Sequence, residues 1–404
     1  MQPTLTWLDL TADDRDRMRR VLDLFSEQGT VDELGLGTLR DHISDALFPG
    51  TSSIQTRLRY ALFIPWLYQE LERKRVSAAD IRDRARAAEL ALIDPLLRSD
   101  DADGVIGSSA RGKLRRLPSE AYWAGLVRWG LFVPGKSQGW YQRHFASLSR
   151  KSAPSAHPDD PGVIWTTQRS WSARLPKPPS EFPTVASLAL TNEEAEFLRD
   201  QFTARVPGSL LQWLATEGDL PAPGGAFWDE SAISTAPQGV RAVTELARRF
   251  SLHVEGAPLL YNLMLADARH ALKQEDRDLE RTEELRGRLG VWAAQEAVED
   301  PFDPQALWAF VAMRGGRVAA QQLRFVETWS ARTVAVGAAA VLDDPEARRL
   351  IQHREQQLKT TRSRFLSQGR LSAWTAPVGV GRMDFRWFRV RQLLIDLHRG
   401  LGVT

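Results

Sequence analysis

Through most of this chain apolar residues return every three or four positions, the period of a helix with one buried face. Met18, Val21, Leu22 and Phe25 form such a stripe behind a Thr11–Asp14 capping pattern, and it stops near Gly29. Leu34 to Leu47 carries a second stripe, interrupted by Gly35 and Gly37 and closed by Phe48-Pro49-Gly50. Ile54, Leu58, Leu62 and Trp66 then step about one turn at a time behind Thr51-Ser52-Ser53, predicting a helix that Pro65 should kink or divide. Ser77 with Asp80 starts another, running to Asp94-Pro95.

Further along, Tyr122, Trp123, Leu126 and Val127 share the apolar side of a short helix entered at Ser119, with Arg115, Arg116 and Arg128 flanking it. Thr191 and Glu194 make a capping box ahead of Ala195, Phe197, Leu198 and Phe202. Helical periodicity resumes from Val240 to Phe250, and the run from Pro258 to Ala297 reads as one long helix or a bent pair. Asp303-Pro304 places an N-cap before a proline at the first helical position. Helices are expected over Ala319–Ala339 and from Pro345 to about Leu366, the latter capped by Asp344. The last segment, from Asp384 to Leu401, is either a strand entering a helix or a closing helix.

These elements predict a mainly α, multi-helical protein. Residues 1–98 form an N-terminal helical module, and 99–150 a basic segment compatible with a winged-helix-like arrangement. Residues 151–184, rich in Pro and Ser, make a linker or long loop that keeps Trp165 and Trp171 for packing, and 185–404 form a C-terminal helical domain. A length of 404 residues supports more than one core, and 43% apolar residues with 14 Trp and 16 Phe supply the material for burial.

Composition removes several classes of chemistry. With no cysteine there are no disulfides, thiolate nucleophiles or cysteine metal sites. The N-terminus lacks the pattern of a signal peptide, no apolar run approaches a membrane span, and a cytoplasmic location is expected. The glycines of Glu33–Asp41 are not followed by the Lys-Ser/Thr pair of a phosphate loop. The seven histidines are dispersed, His353 and Glu355 point in different directions on a helix, and no serine lies in a nucleophile elbow. The acidic pairs, such as Asp100-Asp101 and Asp343-Asp344, fall at helix starts or turns. No cofactor or metal is expected from these patterns.

A formal net charge of +2 hides uneven patterning: nine Arg or Lys stand against one acid between Gly107 and Lys151, and twelve against three from Arg348 to Thr404. Arg111, Lys113, Arg115 and Arg116, clustered before a helix, suit nucleic-acid backbone contact or a solvated face. Lys359, Arg362, Arg364 and Arg370, with Arg382, Arg386, Arg389 and Arg391 interleaved with aromatic residues, form a second set that suits base stacking. Core packing is the stronger expectation for Phe385, Trp387 and Phe388. Arg57 and Arg59 could clamp a phosphate or an acidic partner, or pair internally with Asp32, Glu33 or Asp41.

The strings TWLDL, GTVDELGLGTLRD, LFPGTSSIQTRLRY and FIPW resemble a large uncharacterised bacterial family, as do LRRLPSEAYWAGLVRWG and YNLMLA. Among the matching positions, Asp32, Glu33, Arg40, Asp41 and Gln55, with Arg57 and Arg59, suit a buried polar network. The resemblance implies a component encoded near restriction and phage-defence genes, with DNA or other defence-system proteins as partners. The expected function is therefore an accessory protein of anti-phage defence that binds the DNA backbone or recruits a DNA-processing partner. A protein-interaction scaffold without nucleic-acid contact, and a cryptic metal-dependent nuclease, are the alternatives.

Overall fold

A computed structural model describes residues 32–151 and 169–403. The helix expected before Gly29, Trp165 and half of the Pro/Ser-rich stretch lie outside them. In chain order the helices are α1 (Gly37–Leu47), α2 (Tyr60–Arg73), α3 (Ile81–Ala91), α4 (Ile93–Leu97) and α5 (Pro118–Arg128). They continue with α6 (Gln138–Lys151), α7 (Asn192–Arg205), α8 (Leu210–Glu217), α9 (Gln238–Lys273) and α10 (Asp276–Ala297). The series ends with α11 (Pro304–Met313), α12 (Ala320–Val336), α13 (Pro345–Lys359), α14 (Gln368–Ser372) and α15 (Trp387–Gly400).

The protein is mainly helical. Among the described residues there is no strand ladder, only an isolated antiparallel bridge between Phe132 and Trp171. The winged-helix reading of 99–150 is therefore corrected: this segment contains a 3-10 turn at Arg111–Lys113, then α5 and α6, and has no wing.

Helix starts written in local side chains form as expected. Thr191 and Glu194 close a reciprocal capping box on α7, and Asp303 and Asp344 accept from the first-turn amides of α11 and α13. α2 begins later than its apolar stripe suggests. The Thr56 and Arg57 amides donate to the Tyr122 hydroxyl at 2.9 and 3.0 Å, and the Leu58 amide to Asp396 Oδ2 at 2.8 Å, so Thr51–Arg59 is turned backbone satisfied from outside. Pro65 lies within one continuous helix instead of dividing it. The Val240–Phe250 stripe and the run after Pro258 merge into the 36-residue α9, and the break to α10 falls at Gln274, whose φ is +53°.

The chain divides into two compact units. One comprises the described parts of Met1–Ile43 with Glu245–Phe385, the other those of Ser44–Thr244 with Arg386–Thr404. Most of 1–98 thus shares a unit with 99–150, and the expected 185–404 domain contributes to both units. In the first unit Trp292 and Trp329 pack with ring centroids 6.0 Å apart. Gly256 is required there, because a Cβ on it would overlap the Trp292 indole. In the second, Tyr68, Trp123, Phe132, Tyr141 and Trp171 form one aromatic cluster, and Phe48 stacks on Trp387 of α15 at 5.8 Å.

Candidate nucleic-acid interface

The cationic segment before α5 is an exposed turn held from below. Gly104 and Gly107, at φ +82° and +88°, bring the chain round into Arg111–Lys113. Arg86 of α3 donates from Nη2 to the Gly112 and Leu114 carbonyls at 3.1 and 2.8 Å, fixing the turn against the helix. Arg111 pairs with Asp94, and both are solvent-exposed, so the pair contributes little stability. Lys113 and Arg115 are exposed and make no ion pair among the described residues, while Arg116 is half-buried. Arg82, one turn before Arg86, adds an exposed guanidinium to the same helix.

The first-turn amides of α5 beside this turn are engaged. Pro118 has no amide hydrogen, Ser119 N donates to Glu89 Oε2 at 2.8 Å, and the Glu120 and Ala121 amides donate to the Leu117 carbonyl. Glu89 is buried on α3 with no cationic partner among the described residues, and burial pushes its carboxyl up to about 7. The Tyr68 hydroxyl meets its other oxygen at 3.3 Å, and Gln138 of α6 bridges Tyr68 and Ser119 at 3.1 and 2.9 Å. A second buried carboxylate, Glu72, accepts from Tyr141 at 2.7 Å and from Trp171 at 3.2 Å.

Arg57 and Arg59 occupy the interior of the same unit. Arg57 Nε donates to both Asp396 oxygens at 2.9 and 3.0 Å, while Nη2 meets Asp101 at 2.6 Å and Nη1 the Asp103 carbonyl at 2.9 Å. The hydrogen bond from Arg57 holds the Asp101 carboxyl below the ordinary aspartate range. Arg59 meets Glu194 at 2.7 Å and the Ser187 carbonyl at 2.8 Å. Both guanidinium groups are internally paired, with acids other than Asp32, Glu33 and Asp41.

The remaining predicted residues disperse. Asp32 accepts from the Leu36 and Gly37 amides at 2.7 and 2.5 Å and caps α1, and Arg40 pairs with its neighbour Asp41 at 3.2 Å. Glu33 is buried between Lys359 and Arg364, and both cations also donate to the Tyr261 hydroxyl, at 3.2 and 2.6 Å. Gln55, in the other unit, donates to the Gly50 and Ala121 carbonyls. Arg362 is exposed, whereas Arg386 meets Asp45 and the Thr51 carbonyl, and Arg389 holds the Ser53 carbonyl. Phe385 and Trp387 are buried, and Phe388 is exposed beneath the Arg389 guanidinium.

Local motifs could not reveal one further arrangement. His253 Nδ1 lies 2.7 Å from Glu296 Oε1 and its Nε2 lies 2.7 Å from Ser330 Oγ, the order of a hydrolytic relay assembled from α9, α10 and α12. Ser330, however, lies inside helix α12 with 4% of its surface exposed, so its own amide is part of the helical ladder and cannot hold an oxyanion. A cleft of about 450 Å³ on this unit is lined by Glu255, Arg288, Val291 and Trp292, and Ser330 is not among its lining residues. Phe302 stacks on the imidazole at 4.9 Å. The relay is a satisfied core network that joins three helices.

No group of three His, Asp or Glu residues among the described residues converges as a metal site. No helix of the described residues is long and apolar enough to cross a membrane. The family model for DUF6361 matches residues 2–399. The chain belongs to this family of unknown function. No curated protein and no solved structure matches it. Membership accounts for the resemblance of strings that run from Trp7 to α9, and it brings no reaction or ligand with it.

Proposed function

We propose that the chain is a DNA-binding accessory protein of prokaryotic anti-phage defence, which holds the DNA backbone at the Arg111–Arg116 turn. The observation that supports this reading is the pair Lys113 and Arg115: exposed, without ion-pair partners among the described residues, and carried on a turn that Arg86 fixes to α3. Most other cations singled out in the sequence are engaged internally, which leaves this turn and Arg82 among the exposed positive charges of that unit that can meet phosphate. A cation already paired with a buried carboxylate releases no counterion on meeting DNA, whereas an unpaired exposed one does. The placement in a defence system, and the recruitment of a processing partner, rest on the family resemblance.

The test is binding of a labelled duplex across a salt series. Neutralising two phosphate contacts changes the slope of log affinity against log salt by about 2. The Lys113→Gln/Arg115→Gln variant is therefore expected to bind more weakly and with a slope flatter by that amount. Unchanged affinity and slope in this variant would remove the assignment.

A further inference from the structure

A second exposed feature lies close to the cationic turn. Helix α6 is capped by Ser137, whose Oγ accepts from the Trp140 amide at 3.2 Å. Tyr141, Phe145 and Leu148 face the core, which leaves Trp140, Arg143, His144 and Ser147 on the outer stripe. On that stripe the Trp140 and His144 rings stack, with centroids 4.4 Å apart and planes 19° from parallel. His144 Nδ1 is 2.9 Å from the Trp140 carbonyl, which as an acceptor places the hydrogen on that nitrogen and fixes the ring. One face of the imidazole is thus backed by indole, and the residue as a whole is exposed.

The charges around this stack are one-sided. Lys136 and Arg143 are exposed and make no ion pair among the described residues. Arg143 Nη1 lies 3.8 Å from where a Cβ on Gly139 would stand, so its guanidinium is folded over the first turn of the helix. The sequence has no acidic residue between Glu120 and Asp159. Two contacts tie the start of α6 to the region of the turn: Gln138 Nε2 to Ser119 Oγ at 2.9 Å, and Trp123 Nε1 to the Lys136 carbonyl at 2.9 Å. Ser119 is only three residues beyond Arg116.

Cations alone follow any phosphate backbone, but an exposed flat ring has nothing to stack on in a duplex, where the bases already cover one another. The geometry points to the Trp140–His144 stack as a platform for an unpaired base, with Lys136 and Arg143 on the flanking phosphates, so that the surface selects single-stranded over duplex DNA. This inference rests on the DNA-binding reading above. The competing account is that the pair only stabilises its helix through side chains four residues apart, in which case its loss leaves DNA binding untouched.

Fluorescence anisotropy with a labelled oligothymidylate and a labelled duplex of equal length separates the cases. The wild type is expected to bind the single strand more tightly. Since a base stacked on an aromatic ring accounts for about fivefold to a hundredfold in affinity, His144→Ala should weaken oligothymidylate binding by a factor in that range and leave the duplex unchanged. His144→Phe, which keeps a ring, should retain the single-strand preference. His144 is exposed, so these variants are expected to fold; matching far-ultraviolet spectra would establish this. If His144→Ala binds both DNAs as the wild type does, or loses both equally, the platform is wrong, and the effect of Lys113→Gln/Arg115→Gln decides the phosphate reading separately. If the wild type binds neither DNA, both fall.

Discussion

Arg57 and Asp396 stand 339 positions apart and meet inside one unit, with the guanidinium Nε within 3.0 Å of both carboxylate oxygens. One of those oxygens also accepts the Leu58 amide, so a single aspartate on α15 neutralises a buried cation and satisfies backbone just ahead of α2. Neither group can be removed alone without leaving its partner charged in a poorly solvated place.

For this pair a double-mutant cycle gives a direct expectation. Asp396→Ala should cost about 3–5 kcal/mol in urea unfolding, because Arg57 is left buried with only Asp101 as counter-charge and the Leu58 amide loses its acceptor. Arg57→Met combined with Asp396→Leu should recover part of that loss, since an apolar pair of similar volume needs no counter-charge, while the Leu58 amide stays without its acceptor. A single-variant loss below about 1 kcal/mol would show that solvent reaches Arg57.

The buried carboxyl of Glu89 makes stability depend on pH. Its folded-state value of about 7 lies above the unfolded value, so the folded chain holds a proton that the unfolded chain releases. Its contribution is complete below the unfolded value near 4.3 and is lost as pH rises through about 7, a change on the order of 3 kcal/mol. Glu89→Gln keeps an acceptor for Ser119 N and should flatten the profile over that window. Chemical denaturation at intervals across it provides the check, and an equally steep profile in the variant would assign the dependence to other groups.

Ser330 offers a test of whether the His253 relay is structural. Ser330→Ala leaves His253 Nε2 buried without its partner and should lower stability by about 1–3 kcal/mol. Because no approach to Ser330 Oγ is open, a fluorophosphonate probe is expected to leave this serine unmodified in the native protein. Stoichiometric labelling at Ser330, located by peptide mass, would make it a nucleophile after all.

The parts of the fold that could be read in advance are those in which cause and effect lie within one helical turn. The Thr191–Glu194 box and the Asp303 and Asp344 caps are of this kind: donor, acceptor and apolar stripe occupy adjacent positions. The start of α2 was not legible, because its amides are satisfied by Tyr122 and Asp396. Arg57 and Arg59 stand out in an apolar context, yet nothing nearby distinguishes Asp396 and Glu194 from Asp32, Glu33 and Asp41 as partners. Likewise Lys113 and Lys359 look alike in sequence, and only the fold leaves one in solvent and sets the other against Glu33. Glu89 lies among charged residues on α3 and gave no sign of being buried; its helical phase relative to Ile81 and Ala85, both buried, is the signal that could have found it.

Because Glu89 already occupies the Ser119 amide, and Leu117 takes the next two, the first-turn amides of α5 are not available to grip an anion as nucleotide-binding loops do. Whatever phosphate settles beside it must be held by lysine and arginine tips on long, mobile stems. Such tips track a charged ribbon without registering the order of its letters, so indifference to base sequence would follow from one interior carboxylate more than from anything on the outer surface.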